Sequence, residues 1–370
     1  MPTATRLISP LGNAIRRFAV PGLTLVIIGM AAAPGPGDTE GNVSNPTVDV
    51  LLGRHEKARF KAELANRSVG GRHYDWNQYA AWGKELVLHG QVRQPPIGPA
   101  PSRPLADRYR CVHCHNLTRE DLRLNVQDPE AREKLIRKAM IDDLTRRDGS
   151  VLHLAPGTTL WGAVNRESFY NGHYAKYRNQ TLASGRPMDP TKVVDAITVC
   201  CRFCSGGRYP EQWELDSMLA FHWELELRLS DLDLPAEEVQ QILRAFQTND
   251  AVGIAAAQRK IKQSMLRAAA ATKGEVPDRS EGDTDFYPDG TRITGSAKLG
   301  KVVYESACAG CHGSVNSLAG RALIMDDKRF HFYTRSGTER DGLYMPLFTT
   351  QRLSRPQVAD VRAYLRSLPR

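Results

Sequence analysis

The sequence predicts a mostly α-helical protein with two compact helical domains joined by a helical connector. Three observations lead to this reading. Apolar residues recur at helical spacing, the pattern C-x-x-C-H occurs twice, and a polar segment containing Gly and Pro, KGEVPDRSEGDTDFYPDG, lies between the two occurrences. At 370 residues the chain exceeds what one small core organises. A hydrophobic content of 41% excludes wholesale disorder, and a mean hydropathy of −0.42 excludes a polytopic membrane protein.

The first element is an export signal over residues 1–33. Arg16 and Arg17 precede the apolar run FAVPGLTLVIIGM, and Ala31-Ala32-Ala33 forms an A-x-A cleavage site. The alternative is an uncleaved membrane anchor, although the run is short for a full span and contains Pro21. Cleavage removes three arginines and no acids, lowering the formal net charge from +9 to +6. No concentrated Lys/Arg stripe with interleaved aromatics is present, so an acidic protein partner is expected and nucleic acid is not.

Residues 34–70 read as a flexible lead-in with a short helix near Leu51 to Asn66. The first domain, 71–234, opens with a helix whose Tyr79, Trp82, Leu86 and His89 share one face and which stops at Gly90. It closes with a helix from Pro210 to Leu229, striped by Trp213, Met218, Leu225 and Leu229. Residues 235–295 hold two connector helices, PAEEVQQILRAF and VGIAAAQRKIKQSMLRAAAA, followed by the polar linker. The last domain, 296–370, ends in LSRPQVADVRAYLRSL. There Ser354 and Gln357 form a capping box, and Val358, Val361, Leu365 and Leu368 form the buried face.

The two motifs are Cys111-Val-His-Cys114-His115 and Cys308-Ala-Gly-Cys311-His312. Two thiols on one helical turn add to the two vinyl groups of a haem, and the next residue supplies the proximal imidazole to the iron. Two covalently attached haem c groups are therefore expected, with His115 and His312 as iron ligands. Disulfides or zinc half-sites would leave both adjacent histidines unexplained.

The last domain resembles class I cytochrome c along its whole length, in the order GKVVYESACAGCHG, YMPLF and the closing helix. That resemblance implies a methionine as sixth ligand in the loop before the closing helix. Met345 fits the place, and Met325, closer to the attachment motif, is its rival. DAITVCCRFCSGGR and the helix after it resemble the first haem domain of dihaem thiosulfate dehydrogenases and related sulfur-oxidation cytochromes. There an Ile-x-x-Cys segment supplies a thiolate to the iron; Ile197 and Cys200 match it. Cys200 also precedes its closing helix much as Met345 does, whereas Met188 and Met218 fit that place less well. Cys201 and Cys204 depart from the family pattern, and the second domain lacks the family's glycine-rich active-site surroundings.

Seven cysteines leave three after haem attachment, so at most one disulfide forms among Cys200, Cys201 and Cys204. Cys200 is the first candidate for the iron, Cys201 and Cys204 remain alternatives in that role, and a purely structural cluster is the third reading. Ser205 stands where a proximal histidine would be needed, which argues against a third haem at Cys201-Arg-Phe-Cys204. Over the first haem, Trp161, Phe169, Tyr170, Tyr174 and Tyr177 are expected to pack. Arg166, Lys176, Arg178 and Arg208 are expected to pair with propionates or to bind a sulfur oxyanion. His153 and His173 are alternative iron ligands. The expected function is that of a periplasmic electron carrier working with redox protein partners. A thiosulfate dehydrogenase-like oxidoreductase is the alternative, and no catalytic residue is assigned.

Overall fold

The computed structural model describes residues 44–106, 110–119, 159–169, 180–268, 293–313, 329–330, 333–334, 338–340, 343–345, 348 and 353–369. The export signal lies outside them. Among the described residues no helix is long and apolar enough to cross a membrane. The protein is mostly helical, and the described strands form one two-stranded antiparallel ribbon, β1 (Thr338–Arg340) and β2 (Leu343–Met345).

The lead-in holds α1 (Val48–Leu51) and α2 (Glu56–Ala65). Next comes α3 (Trp76–His89), whose start is fixed by Asp75 accepting the Gln78 N–H at 2.8 Å. Gly90 ends it in the left-handed region at φ 73°, donating to Leu86. Tyr79, Trp82 and Leu86 are buried as expected, while His89 is exposed at the last turn, beyond the packed face.

The partner of α3 is shorter than its sequence pattern suggested. Numbered in chain order, α4 (Cys111–Cys114) and α5 (Val193–Val199) come first, and α6 then spans Gln212–Glu224. Pro210 precedes the cap residue Glu211, whose N–H is taken by the Glu214 carboxylate at 2.8 Å. Past Leu225 the chain turns away, and Leu229 belongs to a 3₁₀ turn, Leu229–Leu232. The reason is a further core. Leu227, Leu229 and Leu232 pack with Val48 and Leu51 of α1, with Ile242 of α7 (Ala236–Gln247), and with Ala257, Ile261 and Met265 of α8 (Ala251–Ala268). Lead-in and connector are thus folded against each other, which no local periodicity could reveal.

The last segment repeats the helix pair. Helix α9 (Ala297–Val303) continues through a π-helical turn, Tyr304–Cys308, into α10 (Ala309–His312), and α11 spans Arg355–Ser367. The Ser354/Gln357 capping box forms as expected, and Val358, Val361 and Leu365 are buried.

Both helix pairs cross at a glycine. A Cβ on Gly83 of α3 would lie 1.9 Å from the Ser217 carbonyl oxygen and 2.8 Å from Phe221 Cβ on α6. A Cβ on Gly300 of α9 would lie 1.9 Å from the Asp360 carbonyl oxygen and 2.8 Å from Tyr364 Cβ on α11. The same crossing, a glycine against a carbonyl and an aromatic four residues later, therefore occurs twice. Around the first, Trp82 and Trp213 meet edge to face with centroids 6.1 Å apart.

Because backbone cannot rotate out of the way, G83A and G300A should each destabilise their helix pair by about 1–3 kcal/mol or more, despite alanine's better helix propensity. Denaturant midpoints of the two variants measure this.

Candidate haem sites

In the first domain α4 carries Cys111 and Cys114 on one turn, and His115 caps it in extended backbone while donating its N–H to the Cys111 carbonyl at 2.9 Å. The loop beyond is held by Thr159, whose hydroxyl donates to the carbonyls of Asn116 and Thr118 at 3.0 and 2.7 Å. Farther along the chain α5 runs into a π-helical turn, Cys200–Cys204, in which the Ser205 N–H reaches back to the Cys200 carbonyl at 2.9 Å. The approach to α5 is clamped by Arg186, which forks onto Asp195 at 2.6 and 2.8 Å.

This framework brings Cys200 to His115. The two side chains hydrogen-bond although they lie far apart in sequence, and Cys200 also bonds to Cys204 and Ser205. The Cys204 hydrogen bond is the main influence holding the Cys200 thiol well below its ordinary value. Burial opposes it, and the His115 hydrogen bond and charge and the Ser205 hydrogen bond reinforce it. The Cys111 thiol is pushed up to about 12 by burial, with Cys200 adding to the shift.

The three neighbouring cysteines point to different places. Cys201 is buried in the core between α3 and α6, and burial pushes its thiol up. Cys204 packs beside Met188 and Val199. Cys111, Cys114, Cys200, Cys201, Cys204 and Cys308 are all free thiols, so the cluster contains no disulfide. Of the rival sulfurs, Met218 lies in the α3/α6 core and Met188 in the small Val199 cluster.

Arg208 has an internal carboxylate partner. Its guanidinium forks onto the buried Glu214 carboxylate at 2.5 and 2.7 Å and donates to the carbonyls of Arg103, Pro104 and Tyr209. Gly207 beside it lets the chain pass the Leu105 carbonyl, 2.1 Å from where a Cβ would stand. The Gly207-Arg208 pair is thus a structural lock. Arg166 donates to the Thr159 carbonyl at 2.5 Å. Trp161 packs on the lead-in and connector core with the Arg119 guanidinium 5.8 Å from its ring, while Phe169 joins Met188 and Val199. His153, Tyr170, His173, Tyr174, Lys176, Tyr177, Arg178 and Met325 lie outside the described residues.

Sequence reasoning missed His222. The shared helix crossing equates Phe221 with Tyr364, so His222 stands where Leu365 stands in the second pair. It is buried, its Nδ1 lies 2.6 Å from the Met218 carbonyl, and burial pushes it down to about 4. The Met218 bond opposes that shift, and the charges of His115 and Arg166 assist it. A histidine in an apolar stripe is the one signal that could have found it.

In the second domain Cys308 ends the π turn, and Cys311 and His312 lie on α10. Tyr304 donates its hydroxyl to the Gly313 carbonyl at 3.2 Å, and burial pushes that phenol up to about 12, with Cys308 and Tyr364 adding to it. Met345 lies on β2 in register with Thr338. Position for position it matches Cys200, yet its backbone is a strand where that of Cys200 is a helical turn.

Two cysteines followed by a histidine are the donor types that haem c takes, and Cys111-Val-His-Cys114-His115 and Cys308-Ala-Gly-Cys311-His312 each offer that set. In the first domain the Cys200 sulfur lies within hydrogen-bond reach of His115.

Two outcomes follow from this geometry. E214A leaves the half-buried Arg208 guanidinium without its carboxylate, though still bonded to backbone carbonyls, and should cost about 1–3 kcal/mol in unfolding experiments. The depressed value of His222 means that the unfolded chain binds that proton first. Its contribution to stability is complete above pH 6.5 and is lost as the pH falls towards about 4. Melting curves across that window should show a smaller loss in H222L than in the unmodified protein.

Comparison with known proteins agrees with the second helix pair. No curated protein and no solved structure matched the chain. Residues 295–365 match the family model of cytochrome c oxidase, cbb3-type, subunit III. They carry Cys308, Cys311, His312, the α9/α11 crossing and Met345, so this chain contains a c-type cytochrome domain, with covalently bound haem c and electron transfer as its general chemistry.

Proposed function

We propose that this chain is an exported, periplasmic dihaem c-type cytochrome that passes electrons from a low-potential site in its first domain to a His/Met site in its second, and on to a redox protein partner. The observation that carries the reading is the meeting of His115 and Cys200 next to the helical turn that carries Cys111 and Cys114. Haem c, when bound, supplies the one-electron couple at each site.

Cys111 and Cys114 would hold the first group through thioether links, and His115 and Cys200 would ligate its iron. Cys308, Cys311, His312 and Met345 would do the same in the second domain. An anionic sulfur stabilises the ferric state, whereas a neutral thioether tolerates the ferrous state better. The two donor sets therefore order the sites from low to high potential and give transfer a direction. The mixed basic surface suits an acidic redox partner.

A sulfur-compound oxidoreductase would also need an anion pocket near the first site. The Arg208 guanidinium, one of the cations expected to form it, is committed to Glu214. The carrier reading is therefore preferred.

Mass measurement of the holoprotein should show two attached haem groups, one lost when Cys111 and Cys114 are both replaced by Ala and the other when Cys308 and Cys311 are. Retention of a third group, or of both in either double variant, overturns the dihaem assignment. C200A should change the ferric spectrum of the first site, and M345A that of the second. Thiosulfate turnover at catalytic rates, lost in C200A, would replace the carrier by the oxidoreductase.

A further inference from the structure

The π-helical turn holds two sulfurs in one place. Residues 200 and 204 lie four apart, and the Ser205 N–H bond to the Cys200 carbonyl widens the turn, so that both side chains leave the same face. Their thiols meet in a hydrogen bond, while Cys200 also reaches His115. Cys204 is held from its other side by Met188, Val199 and Phe203. The Arg186 fork onto Asp195 ties the segment carrying Met188 to α5. Cys201, turned into the main core, stays out of the arrangement.

We infer that Cys204 is a positioning residue for electron transfer, donating its S–H to the Cys200 sulfur and thereby raising the reduction potential of the first haem site. The inference rests on the reading of Cys200 as an axial ligand. A hydrogen bond to a ligating thiolate draws electron density from the sulfur and weakens its donation to ferric iron, so the reduced state becomes easier to reach. Without that bond, an anionic sulfur in a partly apolar wall would hold the site at the lowest potential its ligands permit. Ser205 supplies a second hydrogen bond to the same sulfur. Cys204 and Ser205 together then set how far electrons fall on their way to the second domain.

The two thiols are in contact but unbridged. A Cys200–Cys204 bridge would require both thiols to lose their protons and two electrons to an oxidant. It would also remove the sulfur that faces His115.

The test is a spectroelectrochemical titration of the full-length holoprotein, with ferric spectra recorded for the unmodified protein, C204A and C204S. Haem content verifies that each variant has folded and matured. The expected result is a lower first-site potential in C204A, a potential near the original in C204S because serine still donates, and an unchanged thiolate signature in both. An unchanged potential in C204A overturns the inference, as does loss of the thiolate signature there, which would make Cys204 itself the ligand. A native mass showing the two cysteines oxidised to a disulfide also overturns it. C200A separates the two layers. If its ferric spectrum equals that of the unmodified protein, the ligand reading fails. If it changes while C204A keeps the original potential, only the role of Cys204 fails.

Discussion

The close approach of two helices at a glycine is the constraint on which the rest of the structure depends. A main-chain carbonyl stands where a side chain would be, at Gly83 against Ser217 and again at Gly300 against Asp360. At that distance the aromatic residue one turn further, Phe221 or Tyr364, closes over the crossing, and the flanking apolar residues are buried on both helices. Each C-x-x-C-H turn follows the first helix of its pair in sequence, and each candidate distal sulfur precedes the second. Fixing the crossing fixes the frame within which those two connections must meet. The outcome differs between the domains. In the first, a helix and a π turn bring Cys200 to His115, whereas in the second the corresponding residue lies on a short ribbon.

Polar locks hold the first frame. Arg208 ties the segment after Cys204 to the start of α6 and to the chain passing at Arg103 and Pro104, and Arg186 ties the approach loop to α5. Both guanidiniums meet carboxylates on helices, at Glu214 and Asp195, which are almost fully buried. Pairs of this kind add little stability over apolar packing but penalise any arrangement that breaks them. They specify where the cysteine turn sits, and so where the Cys200 sulfur is presented.

Much of this was legible along the chain. The C-x-x-C-H motifs, the Gly90 stop, the Ser354/Gln357 cap and the apolar stripe of α11 are local features, readable because capping and helical periodicity act within a few residues. The closing helix of the first domain was read too long, since Leu229 keeps an apolar spacing that in fact serves a different core. The Glu214 partner of Arg208 was not legible, because sequence shows charge without showing what it meets. His222 was overlooked because its burial comes from a helix crossing made with residues far upstream.

The sequence by itself determined the spacing of the two C-x-x-C-H motifs and the helical character of the chain, since thiol spacing, caps and stripes are set by neighbours. Only the tertiary structure decided the fates of the three adjacent cysteines. Cys200 turns to His115, Cys201 into the core and Cys204 to the flank of Cys200. The physical reason is that a side chain's direction on a turn is local, while what it meets there is set by elements that arrive from elsewhere in the chain.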